Sequence, residues 1–374
     1  MSKNVIFFLH GIGRHQAGWS RIPGGPIHAL EQVSQQYSCL KGLDINGLVD
    51  LVEIRYDDIF DQHLDQWASL AQTLEPVQGA SQFAKKITDL LANCNDDKNL
   101  FASCGGDVLL YCGFELIAKR VRLRVNSIIS KKITETLAQA KTQAGPNPEF
   151  GIVGHSLGTT IVHDSLEQLA CNNWLPQGDL SADDIVLTNE EKQHLARLQG
   201  ENSNPFAPGV FTWDSVFMIS NTSRMLCQTN KNPYESNVQP GKAVRYFINV
   251  GHEIDPVCNT KRFLIPASWT RARQVSVDHI HDLNIHGYTH YLNHPKVHRL
   301  IFRLLVPEFT NTCNDEAIQA EKDYPKYVGD FKTASIRDAL KRKLNSMIDA
   351  YKNSAISRFR EMIEEYKNKI GDLS

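Results

Sequence analysis

Residues 150–160 read FGIVGHSLGTT, and the central G-H-S-L-G sets Ser156 between Gly154 and Gly158. A serine hydroxyl is a poor nucleophile unless the backbone holds it out on a sharp turn where a base can reach its proton. Glycines two positions to either side allow such a turn. They remove Cβ atoms where strand, nucleophile and following helix crowd together, and they tolerate backbone angles that other residues resist. The flanks agree with this reading. Phe150, Ile152 and Val153 form a short apolar run that predicts a strand, while Thr160, Ile161, Leu166 and Leu169 begin a helical spacing. The competing reading is a Gly-rich connection in any α/β protein, so the serine has to be tested against the rest of the chain.

Outward from this turn the chain reads as alternating strands and helices. VIFFL at 5–9 predicts a buried strand that ends in His10-Gly11-Ile12-Gly13, and LVEIRY at 51–56 predicts a second. Between them, Ile27 to Leu40 has helical spacing after Pro26. Further strands are expected at Val216–Ser220, Val244–Val250 and Gln274–His279, each separated by enough chain for a crossover. That alternation predicts an α/β fold with a mostly parallel sheet flanked by helices. Residues 61–149 read as a polar, helical insertion with a long amphipathic stretch from Asp107 to about Lys141, and 173–211 as a second insertion, either a flap or a surface loop. The catalytic domain is expected over 1–310, with a helical C-terminal extension over 311–374.

Partners for Ser156 follow from strand ends, because side chains at the carboxyl end of a parallel sheet gather around ligands. Asp255 follows the strand VRYFINV, and Pro256 favours an extended conformation there. A carboxylate so placed can hold an imidazole in its useful tautomer. Glu253 and Asp214 are competing acids, Asp214 at the opposite end of its strand. The segment VSVDHIHDLNIHGYTHYLNHPKVHRL at 275–300 carries six histidines, the residue type suited to exchanging a proton near neutrality. His279 and His281 lie too close to the strand, whereas His294 and His298 belong to the helix that Pro295 starts, with Asn293 or His294 as its cap. His286 and His290 remain, and His286 ranks first because Gly287 gives its loop room to swing. The amides of Ile12 and Leu157 are the expected donors to a developing oxyanion.

Through VIFFLHGIG, GIVGHSLG, NVGHEIDPV and HGYTHYLNHPKV, over roughly residues 4–306, the chain resembles the lipase and esterase-like branch of the α/β-hydrolase superfamily of serine hydrolases. The resemblance implies the α/β-hydrolase fold and the order Ser156, Asp255, then His286 or His290. It also implies a chain that begins at the third strand of that fold. The reaction expected is carboxylic-ester hydrolysis through an acyl-enzyme. Thioester or amide cleavage, acyl transfer, and a catalytically silent fold used for binding are the alternatives. Neither metal nor organic cofactor is implied.

Composition sets outer bounds. A net charge of −2 over 374 residues argues against nucleic acid as the main partner. The eight cysteines show no C-x-x-C pair or Cys/His metal spacing, so the expectation is reduced thiols without a disulfide framework. The apolar run before His10 is too short for a signal-peptide core, and no stretch approaches the ~18 apolar residues of a membrane span, which predicts a cytoplasmic protein and leaves a leaderless export route open. From Phe331 to Leu373 an apolar stripe runs through Ile336, Leu340 and Leu344 to Ile370, with ten Lys and Arg against six Asp and Glu. It predicts helices packed on their own domain, a self-association contact, or peripheral attachment to an anionic membrane. With the apolar stretch 107–125, the tail makes lipid or long acyl esters the expected substrates.

Overall fold

The computed structural model describes residues 3–74, 107–175, 187–226 and 232–335, apart from 109, 113, 144, 201, 202, 282 and 283, with a few positions between 338 and 345. Among the described residues six strands form one sheet: β1 (Asn4–Leu9), β2 (Val49–Ile54), β3 (Phe150–His155), β4 (Trp213–Ile219), β5 (Val244–His252) and β6 (Ala272–Val277). Their order is β2-β1-β3-β4-β5-β6, and every neighbouring pair is parallel. The connections are helical. α1 (Pro26–Ser34) and α2 (Ile45–Leu48) lead from β1 to β2, α3 (Asp57–Leu74) leaves β2, and α4 (Glu115–Thr142) precedes β3. α5 (Leu157–Cys171) follows β3, α6 (Asn189–Gln199) precedes β4, α7 (Ser223–Leu226) follows it, and α8 (Pro256–Thr260) follows β5. After β6 come α9 (Tyr288–Leu292), α10 (Pro295–Leu305), α11 (Pro307–Thr312) and α12 (Asn314–Asp323).

Successive side chains of a strand point to opposite faces, and a parallel sheet covered by helices on both sides needs both faces apolar. VIFFL meets that requirement. Val5, Phe7 and Leu9 enter one core with side chains of α4 and α5, while Ile6 and Phe8 enter another with α1, α9 and α10. The sheet is thus the middle of three layers. β1 and β2 are paired on one side, and the chain then crosses to lay β3 on the other side of β1. Connections therefore diverge between the carboxyl ends of β1 and β3, where an open parallel sheet leaves a crevice for ligands.

Several boundaries differ from those expected. The second strand starts two residues earlier, at Val49, and the last stops at Val277, leaving His279 in a loop. α1 ends at Ser34 instead of continuing to Leu40, and turns follow; the Ser34 hydroxyl donates to the Glu31 carbonyl at 2.8 Å, competing with the helical ladder. The reduced-thiol expectation is corrected by a disulfide between Cys39 and Cys313, which lie 274 residues apart and whose Cα atoms are 6.0 Å apart. No short spacing could announce it, because only the packing of the chain after α10 against the turns after α1 brings the two together. No helix among the described residues is long and apolar enough to cross a membrane. The insertion between 75 and 106, the centre of the second insertion at 176–186, and the tail stripe from Ile336 onward lie outside the described residues.

Candidate active site

Ser156 sits between the end of β3 and the first turn of α5 with φ 53° and ψ −126°, a conformation that a non-glycine residue adopts only under constraint. The constraint is on hand. Its amide donates to the Ile219 carbonyl at 3.0 Å, and its own carbonyl accepts from the Thr159 amide at 2.9 Å, the Thr159 hydroxyl at 2.7 Å and the Thr222 hydroxyl at 2.8 Å. The flanking glycines serve a different need from the one their permissive angles suggest, since the left-handed φ belongs to the serine. A Cβ on Gly158 would stand 2.2 Å from the His10 carbonyl oxygen, and one on Gly154 would stand 2.9 Å from that of Gly158. Close approach of α5 to β1 and β3 is what excludes a side chain.

The segment after β1 lies against this turn, because a Cβ on Gly11 would meet the Ser156 Cβ at 2.9 Å. Its backbone is pinned from three directions. The Tyr56 hydroxyl donates to the carbonyls of His10 at 2.5 Å and Gly11 at 3.2 Å, the Gly13 amide donates to Asp107 Oδ2 at 3.1 Å, and the His15 amide donates to Asp57. Burial, reinforced by the charges of Asp57 and Asp61, pushes the Asp107 carboxyl up to about 7. Ile12 is flanked by these ties, and Leu157 begins α5, whose N-terminal amides favour negative charge. Tyr56, Asp57 and Asp107 did not stand out in the sequence, because nothing in their spacing links them to a strand end at Leu9, 47 or more residues earlier.

Asp255 is fully buried at the carboxyl end of β5. It is extended, with φ −71° and ψ 114°, as the following Pro256 favours, and it caps the short helix α8 from outside by accepting from the Val257 amide at 2.9 Å. Its other oxygen, Oδ2, receives three side-chain donors: His286 Nδ1 at 2.8 Å, the Ser220 hydroxyl at 2.7 Å and the Tyr291 hydroxyl at 2.6 Å. Burial alone would push this carboxyl up, but the His286 ring and the three hydrogen bonds outweigh it and hold the group well below the usual carboxylate range. Ser220, at the end of β4, also carries a left-handed φ of 51° and lies 3.2 Å from His286 Nδ1. Of the competing acids, Asp214 accepts from the Phe150 amide and pairs with Arg245 at the far end of the sheet, and Glu253 is exposed.

The two candidate bases separate cleanly. His286 meets Asp255; His290 instead exchanges hydrogen bonds with His279, its Nε2 reaching the His279 carbonyl at 3.0 Å while His279 Nε2 reaches the His290 carbonyl at 2.6 Å. His290 lies in α9, turned from Asp255, and the adjacent Tyr291 takes the position on the carboxylate. His155, next to the serine, donates from Nε2 to the His286 carbonyl at 2.6 Å, and their ring centroids lie 4.8 Å apart. His294 caps α10 by accepting from the Lys296 amide, as one of the two expected caps.

No family model matches the sequence, and no match is found among curated proteins or solved structures. The arrangement must therefore be weighed on its own chemistry. Among the described residues two groups could hold a metal ion: His252, His279 and His290, and His10, His15 and Asp57, each with ligand atoms within 4.8 Å of one another. In the first, Nε2 of every ring is directed at a backbone carbonyl and the rings of His279 and His290 are stacked at 4.1 Å and 10°. In the second, His10 and His15 are likewise stacked, at 4.0 Å. A shared ion lies in the plane of each ligating ring, so either group would bind one only after a ring turned. As they stand, His252, His279 and His290 clasp backbone to backbone, while His10 and His15 lie against the Asp57 carboxylate.

Proposed function

We propose that the protein is a serine hydrolase of the α/β-hydrolase fold that cleaves carboxylic esters through an acyl-enzyme. The observation that carries this reading is the His286–Asp255 pair at 2.8 Å, tied through His155 to the strained, glycine-flanked turn of Ser156. In the proposed reaction Ser156 Oγ attacks the ester carbonyl carbon while His286 Nε2 takes the hydroxyl proton. Asp255 holds the opposite ring nitrogen in its protonated form and stabilises the imidazolium. The carbonyl oxygen, now negative, is received by the amides of Leu157 and Ile12. His286 returns the proton to the leaving alcohol. Water, deprotonated by the same ring, then attacks the acyl carbon, and as the bond from that carbon to Ser156 Oγ breaks the ring returns the proton to Oγ and the acid leaves.

The substrate class proposed is an acyl or lipid ester, on the apolar character of Ile12 after β1 and of Phe114 and Leu116 at the start of α4, where Leu116 is 48 % exposed. The other apolar residues of that stretch, such as Ile117, Val121 and Val125, are buried in the core. Labelling with a fluorophosphonate and hydrolysis of esters of graded acyl length test the proposal together. Labelling that disappears in Ser156→Ala, with kcat/KM rising from acetyl to longer chains, is expected. Ester turnover surviving in Ser156→Ala would overturn the reaction, and a steady fall with chain length would overturn the substrate class.

A further inference from the structure

The loop from β6 to α9 carries His286 but contains no helix or strand of its own among its described residues. Ordering such a loop costs backbone entropy at every residue, so something must hold it. The segment following α12 lies across it. The Ile280 amide donates to the Lys326 carbonyl at 2.8 Å and the Val328 amide donates to the Ile280 carbonyl at 3.3 Å, forming a parallel bridge between Ile280 and Tyr327. To one side, His281 Nε2 donates to the Pro325 carbonyl at 2.8 Å, and Lys326 pairs with Asp278. Below the bridge is a small apolar cluster apart from the two main cores. Ile280 and Ile285, each 2 % exposed, form it, with Ile254 and Tyr327 packed against them.

The membership of this cluster is the point. Ile254 immediately precedes Asp255 and Ile285 immediately precedes His286, so the ring of Tyr327 packs on a cluster that joins the main-chain neighbours of both. We infer that Tyr327 is a positioning residue for the Asp255–His286 pair, and that residues 324–328 act as a strap fastening the two loops in register. The inference rests on the hydrolase reading of that pair. A misplacement of about 1 Å in a reacting group can cost on the order of a hundredfold in rate, which is the scale of effect such a strap can exert without touching substrate.

The test uses the full chain carrying Tyr327→Ala, Tyr327→Leu or Tyr327→Phe. Tyr327→Ala is expected to lower kcat about 10- to 100-fold at nearly constant KM and to slow fluorophosphonate labelling of Ser156 in parallel, with Tyr327→Phe restoring both. In a Ser156→Ala background, where no turnover is involved, the low-field proton resonance of His286 Nδ1–H should broaden or shift in Tyr327→Ala and recover in Tyr327→Phe. Unchanged kcat and an unchanged resonance in both the Ala and Leu variants would overturn the strap. So would losses that merely follow a fall in Tm, which Tyr327→Leu distinguishes if Tyr327→Ala fails to fold. A wild-type protein that neither labels nor hydrolyses esters, yet loses the resonance in Tyr327→Ala, would overturn the hydrolase reading and leave the strap standing.

Discussion

His155 donates from Nε2 to the backbone carbonyl of His286 at 2.6 Å, so the residue before the proposed nucleophile holds the main chain of the proposed base. Its ring also stacks on Tyr288, with centroids 4.8 Å apart. Burial, with the neighbouring His286 ring, lowers the His155 pKa to about 3, so the ring is neutral at physiological pH and its one N–H goes to this bond. Replacing it should therefore disturb the base without touching the serine. His155→Leu is expected to reduce kcat roughly tenfold or more while KM stays within about twofold, and His155→Gln, which keeps a donor, should recover part of the loss. Equal kinetics in His155→Leu and the wild type would remove the role.

The assignment of the base is open to a direct comparison. Members of a catalytic set act as a unit, so His286→Ala should lose on the order of 10⁴-fold or more in kcat, about as much as Ser156→Ala. His290→Ala removes a buried ring that bonds to His279, and its expected cost is to thermal stability, with less than about a tenfold change in kcat. Steady-state kinetics beside thermal melts separate the two variants. The reverse ranking in kcat would transfer the role to His290.

Tyr291 supplies the shortest hydrogen bond to the Asp255 carboxylate. A hydrogen bond to a charged group contributes roughly 1.5–3 kcal/mol. Tyr291→Phe deletes that donor while keeping the ring, so the carboxylate should be harder to keep ionised and the imidazolium less well stabilised. Activity should fall about tenfold, and the acidic limb of the kcat/KM profile should change position. A profile identical to that of the wild type would show that His286 and Ser220 suffice.

Acid should unfold this protein early. Burial lowers the pKa of His10 and His155 to about 3 and of His298 to about 4, from an ordinary 6.5. Between those limits the unfolded chain binds protons at these positions and the folded chain does not, so stability falls as pH falls from 6.5. Asp255, depressed in the fold, loses stability in the same direction once pH drops below its unfolded value near 3.8. Asp107 runs the other way: its raised pKa of about 7 makes the folded state bind its proton first, stabilising as pH falls from 7 toward 3.8, and burial raises Asp61, Glu149 and Asp214 in the same sense, against the more numerous histidines that burial lowers. Tm is expected to drop steadily from pH 6.5 to 4, and less steeply in His298→Asn. A flat Tm over that range would contradict the burial of these rings.

What could be read from the sequence follows from how local each signal is. The apolar runs 5–9 and 150–153 announce strands because both faces of a covered parallel sheet must be apolar, and each became a strand of that sheet. Ser156 and its glycines could be found because strand, turn and helix are contiguous. Asp255 and His286 were placed by strand ends, but only the fold distinguishes His286 from His290, four residues on in the next helix. Ser220 and Tyr291 carried no signal at all: a serine after a strand and a tyrosine in a short helix are commonplace, and their meeting on one carboxylate oxygen depends on β4 and β5 being neighbours. The Cys39–Cys313 link and the Tyr327 contact depend in the same way on distant segments brought together.

The strand order has a consequence for when the site comes into being. β1 pairs with β2 soon after both are made, but its other partner, β3, begins some 140 residues after β1 ends, and the ring that meets Asp255 is at residue 286. A chain growing from its N-terminus therefore presents Ser156 long before His286, the proposed base, is made, and Tyr327 follows later still. Until then the turn around Ser156 lacks His286 and its tie to His155, and the β3 edge awaits β4. Under the proposed reaction the nascent polypeptide would thus be inert toward esters while its exposed strand edges are most open to wrong pairing, and reactivity would arrive only with the last part of the fold.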